Sequence, residues 1–153
     1  MNLELPATEL NCWRQGLREL PDEIFSRTDI EILNASENAL TSLPEAIGNL
    51  TQLHTLDLGH NQLADLPESL GRLNKLTYYL YLQHNKLTRL RESLFFSMKR
   101  LRYLNVSGNR LSRLPESVGN LESMEELHAD HNPFRAPAGV VCQAQGFAGA
   151  APP

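Results

Sequence analysis

The segment Leu53–Leu73 reads LHTLDLGHNQLADLPESLGRL, and similar segments precede and follow it in the chain. Written as a pattern, it is L-x-x-L-x-L-x-x-N-x-L-x-x-L-P-x-x-L-G-x-L. Its asparagine recurs with steps of 23, 24, 24 and 23 residues, at Asn38, Asn61, Asn85, Asn109 and Asn132. A fixed period of this size indicates one small structural unit that is repeated and stacked. The chain is therefore predicted to form a solenoid.

Each part of the pattern predicts a local structure. The alternation x-L-x-L-x has period two, which predicts a short strand with one buried face. Strands of successive repeats then stack as a parallel sheet, about 4.8 Å apart. The asparagine amide has donors and an acceptor for backbone groups of the following turn, so its repetition predicts a ladder along the solenoid. The motif Leu-Pro-Glu-x-hydrophobic-Gly suits one helical or 3₁₀ turn on the opposite side.

These residues resemble leucine-rich repeat proteins over roughly residues 7–135. The resemblance implies an α/β solenoid, a horseshoe with a parallel concave sheet and short helical or 3₁₀ turns on the convex side. The 23-residue form with Leu-Pro-Glu-x-Ile/Leu-Gly is most similar to the intracellular Ras-group repeats, which occur in signalling scaffolds and, in some bacterial proteins, beside kinase domains. The resemblance implies a cytoplasmic protein-interaction module.

The repeats predict the domain organisation. About six are expected, at residues 7–29, 30–52, 53–75, 76–100, 101–123 and, in part, 124–137. An N-terminal lead-in (1–6) precedes them, and an Ala/Gly/Pro tail (138–153) is expected to be mostly disordered. A solenoid normally needs a polar cap, which this tail does not resemble. Three alternatives stay open: a truncated piece of a longer chain, a tail folded over the end, or an exposed end that pairs with another molecule. The chain is thus expected to be a monomer or to self-associate weakly through its uncapped C-terminal end.

Two repeats depart from the pattern. The first has Cys12 at a leucine position and Gln15 at the asparagine position, as expected for a terminal repeat. The fourth has one extra residue near Tyr78, and Arg91 replaces its proline. A local bulge is expected near Tyr78.

Composition excludes several classes of partner. The chain has 14 basic and 18 acidic residues and a net charge of −4, whereas nucleic-acid binding usually requires a basic patch. No apolar run approaches the roughly 18 residues of a membrane span, and no secretory signal is evident. Cys12 and Cys142 lie at opposite ends of the solenoid and cannot pair within one molecule. A reduced, cytoplasmic protein that contacts neither nucleic acid nor membrane is predicted.

Alignment of the repeats predicts four columns of outward-facing side chains on the concave sheet. The first column contains Glu9, Ile32, Thr55, Tyr79, Tyr103 and Glu126. The second contains Asn11, Asn34, Asp57, Tyr81, Asn105 and His128. The third contains Trp13, Ser36, Gly59, Gln83, Ser107 and Asp130. The fourth, at the strand exit, contains Arg14, Glu37, His60, His84, Gly108 and His131.

Three tyrosines, Tyr79, Tyr81 and Tyr103, cluster in the middle of this face, with Trp13 nearer its start. Binding hot spots are enriched in Trp, Tyr and Arg, although tyrosine also suits half-buried strands for purely structural reasons. We predict a partner-binding site on the concave face that comprises Trp13, Asn34, Asp57, Tyr79, Tyr81, Tyr103, Asn105, His128 and Asp130.

No pattern indicates catalysis, a metal or a cofactor. His60 and His84 fall at the same place in adjacent repeats, but a structural zinc site requires four ligands. No nucleophile lies with a base and an orienting acid, and the glycines do not form a phosphate loop. The sequence therefore predicts a non-catalytic protein-interaction module. The alternative is a truncated repeat fragment or a regulatory segment of a larger signalling protein, such as a repeat-bearing kinase.

Overall fold

The computed structural model of the protein describes residues 7–135, which form six short strands and five 3₁₀ helices. The strands are β1 Glu9–Asn11, β2 Ile32–Asn34, β3 Thr55–Asp57, β4 Tyr79–Tyr81, β5 Tyr103–Asn105 and β6 Glu126–His128. The 3₁₀ helices are η1 Asp22–Ser26, η2 Glu45–Asn49, η3 Glu68–Arg72, η4 Glu92–Phe95 and η5 Glu116–Asn120. Each repeat from the first to the fifth thus supplies one strand and one 3₁₀ helix.

The six strands form one parallel sheet in sequence order, β1 to β6. Equivalent residues of neighbouring repeats are paired, so that Leu33 lies opposite Leu56 and Leu56 opposite Leu80. A parallel sheet in which every connection leads to the next strand is the arrangement expected of stacked repeats. The predicted solenoid with a parallel sheet and 3₁₀ turns is confirmed.

The core lies between the sheet and the 3₁₀ helices. The central leucine of each inner strand is fully buried, as are Ile47 and Leu70 of the helices. Burying one such side chain contributes about 1.5–3 kcal/mol, and no repeat can do so without neighbours on both sides. Stability is therefore shared along the stack.

Neighbouring 3₁₀ helices approach each other closely. A Cβ atom on Gly48 would lie 2.8 Å from the Cβ of Ser69, so only glycine fits between these turns. The Glu45 carboxylate accepts a hydrogen bond from the backbone N–H of Ser69 at 3.0 Å. Ser69, through its side chain first and its backbone N–H second, keeps the pKa of Glu45 below its ordinary value. Glycine and glutamate of the repeat motif thus join one turn to the next.

The extra residue of the fourth repeat forms a bulge. At a regular junction, one carbonyl, such as that of Glu31, accepts two successive N–H groups of the next repeat. Here two carbonyls share that role: Thr77 accepts from Arg102 at 3.1 Å, and Tyr78 accepts from Tyr103 at 3.0 Å. Thr77 and Tyr78 together thus take the role of one residue at a regular junction, and such an extra residue in one of two paired segments is a β-bulge. The bulge near Tyr78 is therefore present, and strand pairing is regular beyond it.

Arg91 occupies the position of the missing proline without altering the backbone. Its φ and ψ of −74° and 146° nearly match the −67° and 148° of Pro67. The guanidinium groups of Arg91 and Arg89 lie 3.1 and 3.0 Å from the Asp65 carboxylate in the preceding repeat. The proline is thus replaced by a residue that makes an inter-repeat ion pair.

Several predictions fall partly or wholly outside the described residues: the lead-in (1–6), the tail (138–153), the form of the C-terminal end and the environment of Cys142. Cys12 is buried with a free thiol, and burial raises the pKa of that thiol. Between residues 7 and 135, no helix is long and apolar enough to cross a membrane.

The repeated asparagines form the predicted ladder. The side-chain amide of Asn61 donates to the carbonyls of Ala35 and Leu58, both at 3.0 Å, and its oxygen accepts the N–H of Leu40 at 3.0 Å. Ala35 and Leu40 belong to the preceding repeat, so each asparagine joins two repeats. The same pattern is found at Asn38, Asn85, Asn109 and Asn132.

Replacing one ladder residue should weaken the whole stack. Asn61→Leu keeps the buried volume but leaves backbone groups without partners, at about 1–3 kcal/mol for each group. Urea unfolding followed by circular dichroism should show this loss. Asn74→Leu, at an exposed turn asparagine, is the matched control and should change stability little. Equal unfolding midpoints for the two variants would contradict the ladder.

Candidate functional site

The outward side chains of the six strands form one partly exposed surface, which we call the sheet face. It comprises the first two predicted columns: Glu9, Ile32, Thr55, Tyr79, Tyr103 and Glu126, and Asn11, Asn34, Asp57, Tyr81, Asn105 and His128. In β2 to β6 the central residue is buried and its two neighbours are half-buried. The side chains of the sheet face are therefore free of core packing yet held in regular rows.

The structure brings the three predicted tyrosines together. The rings of Tyr79 and Tyr81 are nearly parallel, with centroids 5.4 Å apart and an interplanar angle of 10°. The ring of Tyr103 lies 4.8 Å from that of Tyr79, its strand partner. Such ring pairs stabilise each other by about 0.5–1.5 kcal/mol beyond burial. The result is a preformed aromatic surface at β4 and β5, which we call the tyrosine cluster.

A fourth tyrosine, which the column alignment missed, extends this cluster. The side chain of Tyr78 is 43% exposed, and its ring centroid lies 6.4 Å from that of Tyr79. Its other side makes an edge-to-face contact with His54 at 4.9 Å. The alignment gave Tyr78 no column because it is the inserted residue. The feature of the sequence that could have identified Tyr78 is an aromatic residue at the inserted position.

The asparagine side chains of the second column have a structural role. The side-chain oxygens of Asn34 and Asn105 accept the N–H two residues later, at 3.0 Å, in the turn that ends the strand. Asn11 makes the same contact. Local bonds of this kind stabilise a turn. Asn34 and Asn105, predicted to bind a partner, thus already use their amide oxygens within the chain.

Asp57 occupies the same position with a carboxylate. It accepts a hydrogen bond from the N–H of Gly59 at 2.9 Å, which is the same turn contact that the asparagines make. Burial raises the pKa of Asp57; Glu37 acts in the same direction, whereas the Gly59 bond and His60 oppose it. No lysine, arginine or histidine in residues 7–135 forms an ion pair with it. Asp57 is thus a half-buried acid without a cationic partner in this part of the chain.

The third column does not face outward along its whole length, contrary to the prediction. Ser36, Gly59 and Ser107 are buried. Neighbouring side chains lie against them: the Gln83 amide lies across Gly59, the Ser36 hydroxyl donates to Asn34, and the Ser107 hydroxyl donates to Asp130. The two predicted site residues of this column stay accessible: Trp13 is 45% exposed, and Asp130 is half-buried.

Asp130 and His128 contact other groups at the C-terminal end of the sheet face. The Asp130 carboxylate accepts the Ser107 hydroxyl and pairs with His131 at 2.8 Å. These contacts, that of Ser107 first, lower the pKa of Asp130. His128 contacts Glu126 at 2.9 Å. Both residues lie two strands or less from the tyrosine cluster, but their polar groups are already engaged.

The fourth column has left-handed backbone geometry in every repeat. The five non-glycine residues have φ of 53–55°, and Gly108 has φ 66°. Glycine adopts this conformation without strain, which explains why it interrupts the histidines. The rings of His60 and His84 stack at 4.5 Å, and His84 covers Gly108. Among the described residues, no group of three or more His, Cys, Asp or Glu side chains could hold a metal ion.

Comparisons with known proteins identify the repeat. The family model described as "Leucine rich repeat" matches residues 75–134, and "Leucine Rich repeats (2 copies)" matches residues 28–72. Together the two ranges span more than half of the chain. Among curated proteins, no sequence matches the chain.

Solved structures show the same fold. A leucine-rich repeat protein of Leptospira interrogans is 30% identical, with a TM-score of 0.74 over 84% of this chain and 38% of that one. A chain in the crystal structure of PEPR1-AtPEP1 is 36% identical, with a TM-score of 0.67 over 76% of this chain and 17% of that one. The present chain thus spans well under half the length of either.

Asp57→Asn should increase stability at neutral pH, because Asn keeps the acceptor for Gly59 and removes a half-buried charge. A carboxyl group with a raised folded-state pKa costs stability while ionised, and this cost disappears as the pH falls through that pKa. The gain should therefore be present at pH 7 and absent near pH 3.5. Urea unfolding at both pH values measures it, with Glu122→Gln, at an exposed acid, as control. A less stable Asp57→Asn at pH 7 would contradict the prediction.

Proposed function

The chain belongs to the leucine-rich repeat proteins, which typically mediate protein–protein interactions without catalysis, and on this premise we propose that it binds a protein partner through the sheet face. The tyrosine cluster forms the centre of the contact. Trp13, Asp57, His128 and Asp130 lie around it as peripheral contacts.

The observation that carries this proposal is the pair of ring contacts that joins three tyrosines outside the core. Tyr79, Tyr81 and Tyr103 are half-buried and touch mainly one another on their exposed side. Tyrosine also suits half-buried strands, but the equivalent positions of β2 and β3 carry Ile32, Thr55 and other smaller side chains. A concentration of rings in two adjacent repeats is typical of an interface hot spot.

The surface also needs little rearrangement to bind. Each tyrosine is fixed at its strand by backbone pairing, and its ring is held by a neighbouring ring. Ordering a flexible side chain on association costs roughly 0.5–1.5 kcal/mol. A preformed cluster avoids most of this cost, which supports binding by a rigid face.

We further assign the repeats to the intracellular Ras-group type and the protein to the cytoplasm, as a scaffold in signalling. The Leu-Pro-Glu-x-Ile/Leu-Gly motif and the buried, free Cys12 support this assignment. Fractionation of cells that produce the protein tests the location. The alternative, a segment of a larger signalling protein such as a repeat-bearing kinase, stays a prediction, which sequencing the coding region beyond Pro153 tests.

Tyr81→Ala should reduce capture of the main partner from lysate at least about tenfold, as expected for a hot-spot residue. Quantitative mass spectrometry of proteins retained by immobilised wild-type and variant chains gives the measurement. Phe96→Ala is the matched control, because Phe96 is 56% exposed and lies after η4, away from the sheet face.

Both variants should keep wild-type circular dichroism and similar melting temperatures, which separates a binding defect from unfolding. Unchanged capture by Tyr81→Ala would remove the tyrosine cluster from the interface. A loss of capture by Phe96→Ala alone would place the interface on the opposite side of the solenoid.

A further inference from the structure

The charges around the sheet face have predominantly one sign. The four outward columns together carry five carboxylates and a single arginine, Arg14; the carboxylates belong to Glu9, Glu37, Asp57, Asp130 and Glu126. Histidines supply the remaining ionisable nitrogen atoms of this surface. At neutral pH the aromatic surface thus lies in a negative field, which attracts cations and repels anions.

The one arginine of this surface shows how a cation is held there. The guanidinium carbon of Arg14 lies 5.1 Å from the centre of the Trp13 ring. Its Nε lies 2.5 Å from the Glu37 carboxylate of the next repeat. A cation over an aromatic ring, paired with an acid one repeat away, is a favourable combination because both contacts use the same group.

The tyrosine cluster repeats this combination without the cation. Tyr81 lies directly opposite Asp57 in the adjacent strand, and Tyr103 lies directly opposite Glu126. Asp57 has no ion pair in residues 7–135, as described above, whereas Glu126 forms an ion pair with His128. Ring and acid are therefore neighbours at two points of the face, and within residues 7–135 neither acid pairs with a lysine or an arginine.

We propose that the tyrosine cluster, with Asp57 and Glu126, binds arginine side chains of an extended basic segment in the partner protein. The proposal rests on the proposed function and specifies the chemistry of the partner. A planar guanidinium can stack on a tyrosine ring while it donates to a carboxylate, which a lysine ammonium does less well. Two ring–acid pairs separated by two strand spacings, roughly 10 Å, suit an extended chain that crosses the strands.

Other occupants fit this surface less well. An acidic protein segment or a nucleic acid would place like charges against Asp57 and Glu126. An apolar helix would bury the carboxylate of Asp57 without a partner, which is costly. A basic segment instead neutralises this acid and removes the disadvantage of its half-buried charge.

Fluorescence anisotropy on the full chain tests the proposal with labelled peptides of alternating residues. The probe alternates arginine and serine; one control replaces arginine with citrulline, its neutral analogue, and another replaces it with glutamate. The arginine peptide should bind at least about tenfold more tightly than either control. Its affinity should fall as the salt concentration rises from about 50 to 300 mM.

Three variants test whether the arginine peptide binds at the tyrosine cluster. Asp57→Asn keeps its turn bond, so it should stay folded and yet bind the arginine peptide about tenfold more weakly. Tyr81→Ala should show a similar loss. Glu122→Gln makes the same change of net charge away from the sheet face and should bind like the wild type.

The outcomes separate this inference from the proposed function. Equal binding of the arginine and citrulline peptides, or tighter binding of the glutamate peptide, would overturn the cationic partner, while loss of capture by Tyr81→Ala would still support the sheet face. Arginine-peptide binding that neither Asp57→Asn nor Tyr81→Ala weakens would overturn the assigned site.

Discussion

The arrangement of the sheet face depends on the hydrogen bonds of the buried asparagines. Asn85 donates to the carbonyls of Leu58 and Leu82 and accepts the N–H of Leu63, so it bonds to its own repeat and to the preceding one. Leucine burial supplies most of the driving force for folding, but the hydrophobic effect has no preferred direction. Bonds between defined atoms set the position of each repeat against its neighbour. The rows of outward side chains follow from that register.

The same register explains how an irregular repeat produced the candidate site. A shift of one residue within β4 would exchange its buried and exposed faces. The extra residue is therefore accommodated before the strand, at Thr77 and Tyr78, where it disturbs neither Leu80 nor Asn85. Tyr79 and Tyr81 stay outward, and Tyr78 is added beside them. The bulge thus enlarges the aromatic surface without altering the core.

Two features of this surface are not explained by stability. Asp57 stands where three other repeats have asparagine, and its burial raises its pKa. His60 and His84 occupy a position that is left-handed in every repeat, which costs a non-glycine residue about 1–2 kcal/mol, although glycine is tolerated there at Gly108. Departures of this kind from local rules are expected at functional surfaces. Both lie within one strand of the tyrosine cluster, as the fourth column adjoins it at β3 and β4.

The sequence alone determined the solenoid, the parallel sheet and the ladder at Asn38 to Asn132, because a 23–24-residue period repeats the same local physics six times. It also placed Tyr79, Tyr81 and Tyr103 on one face, since side-chain direction follows from strand alternation. Only the tertiary structure decided which side chains touch. The burial of Ser36 and Ser107, the addition of Tyr78 and the lack of an ion pair at Asp57 within residues 7–135 depend on distances between repeats. Those distances are set by packing and by one inserted residue, which a repeat pattern does not encode.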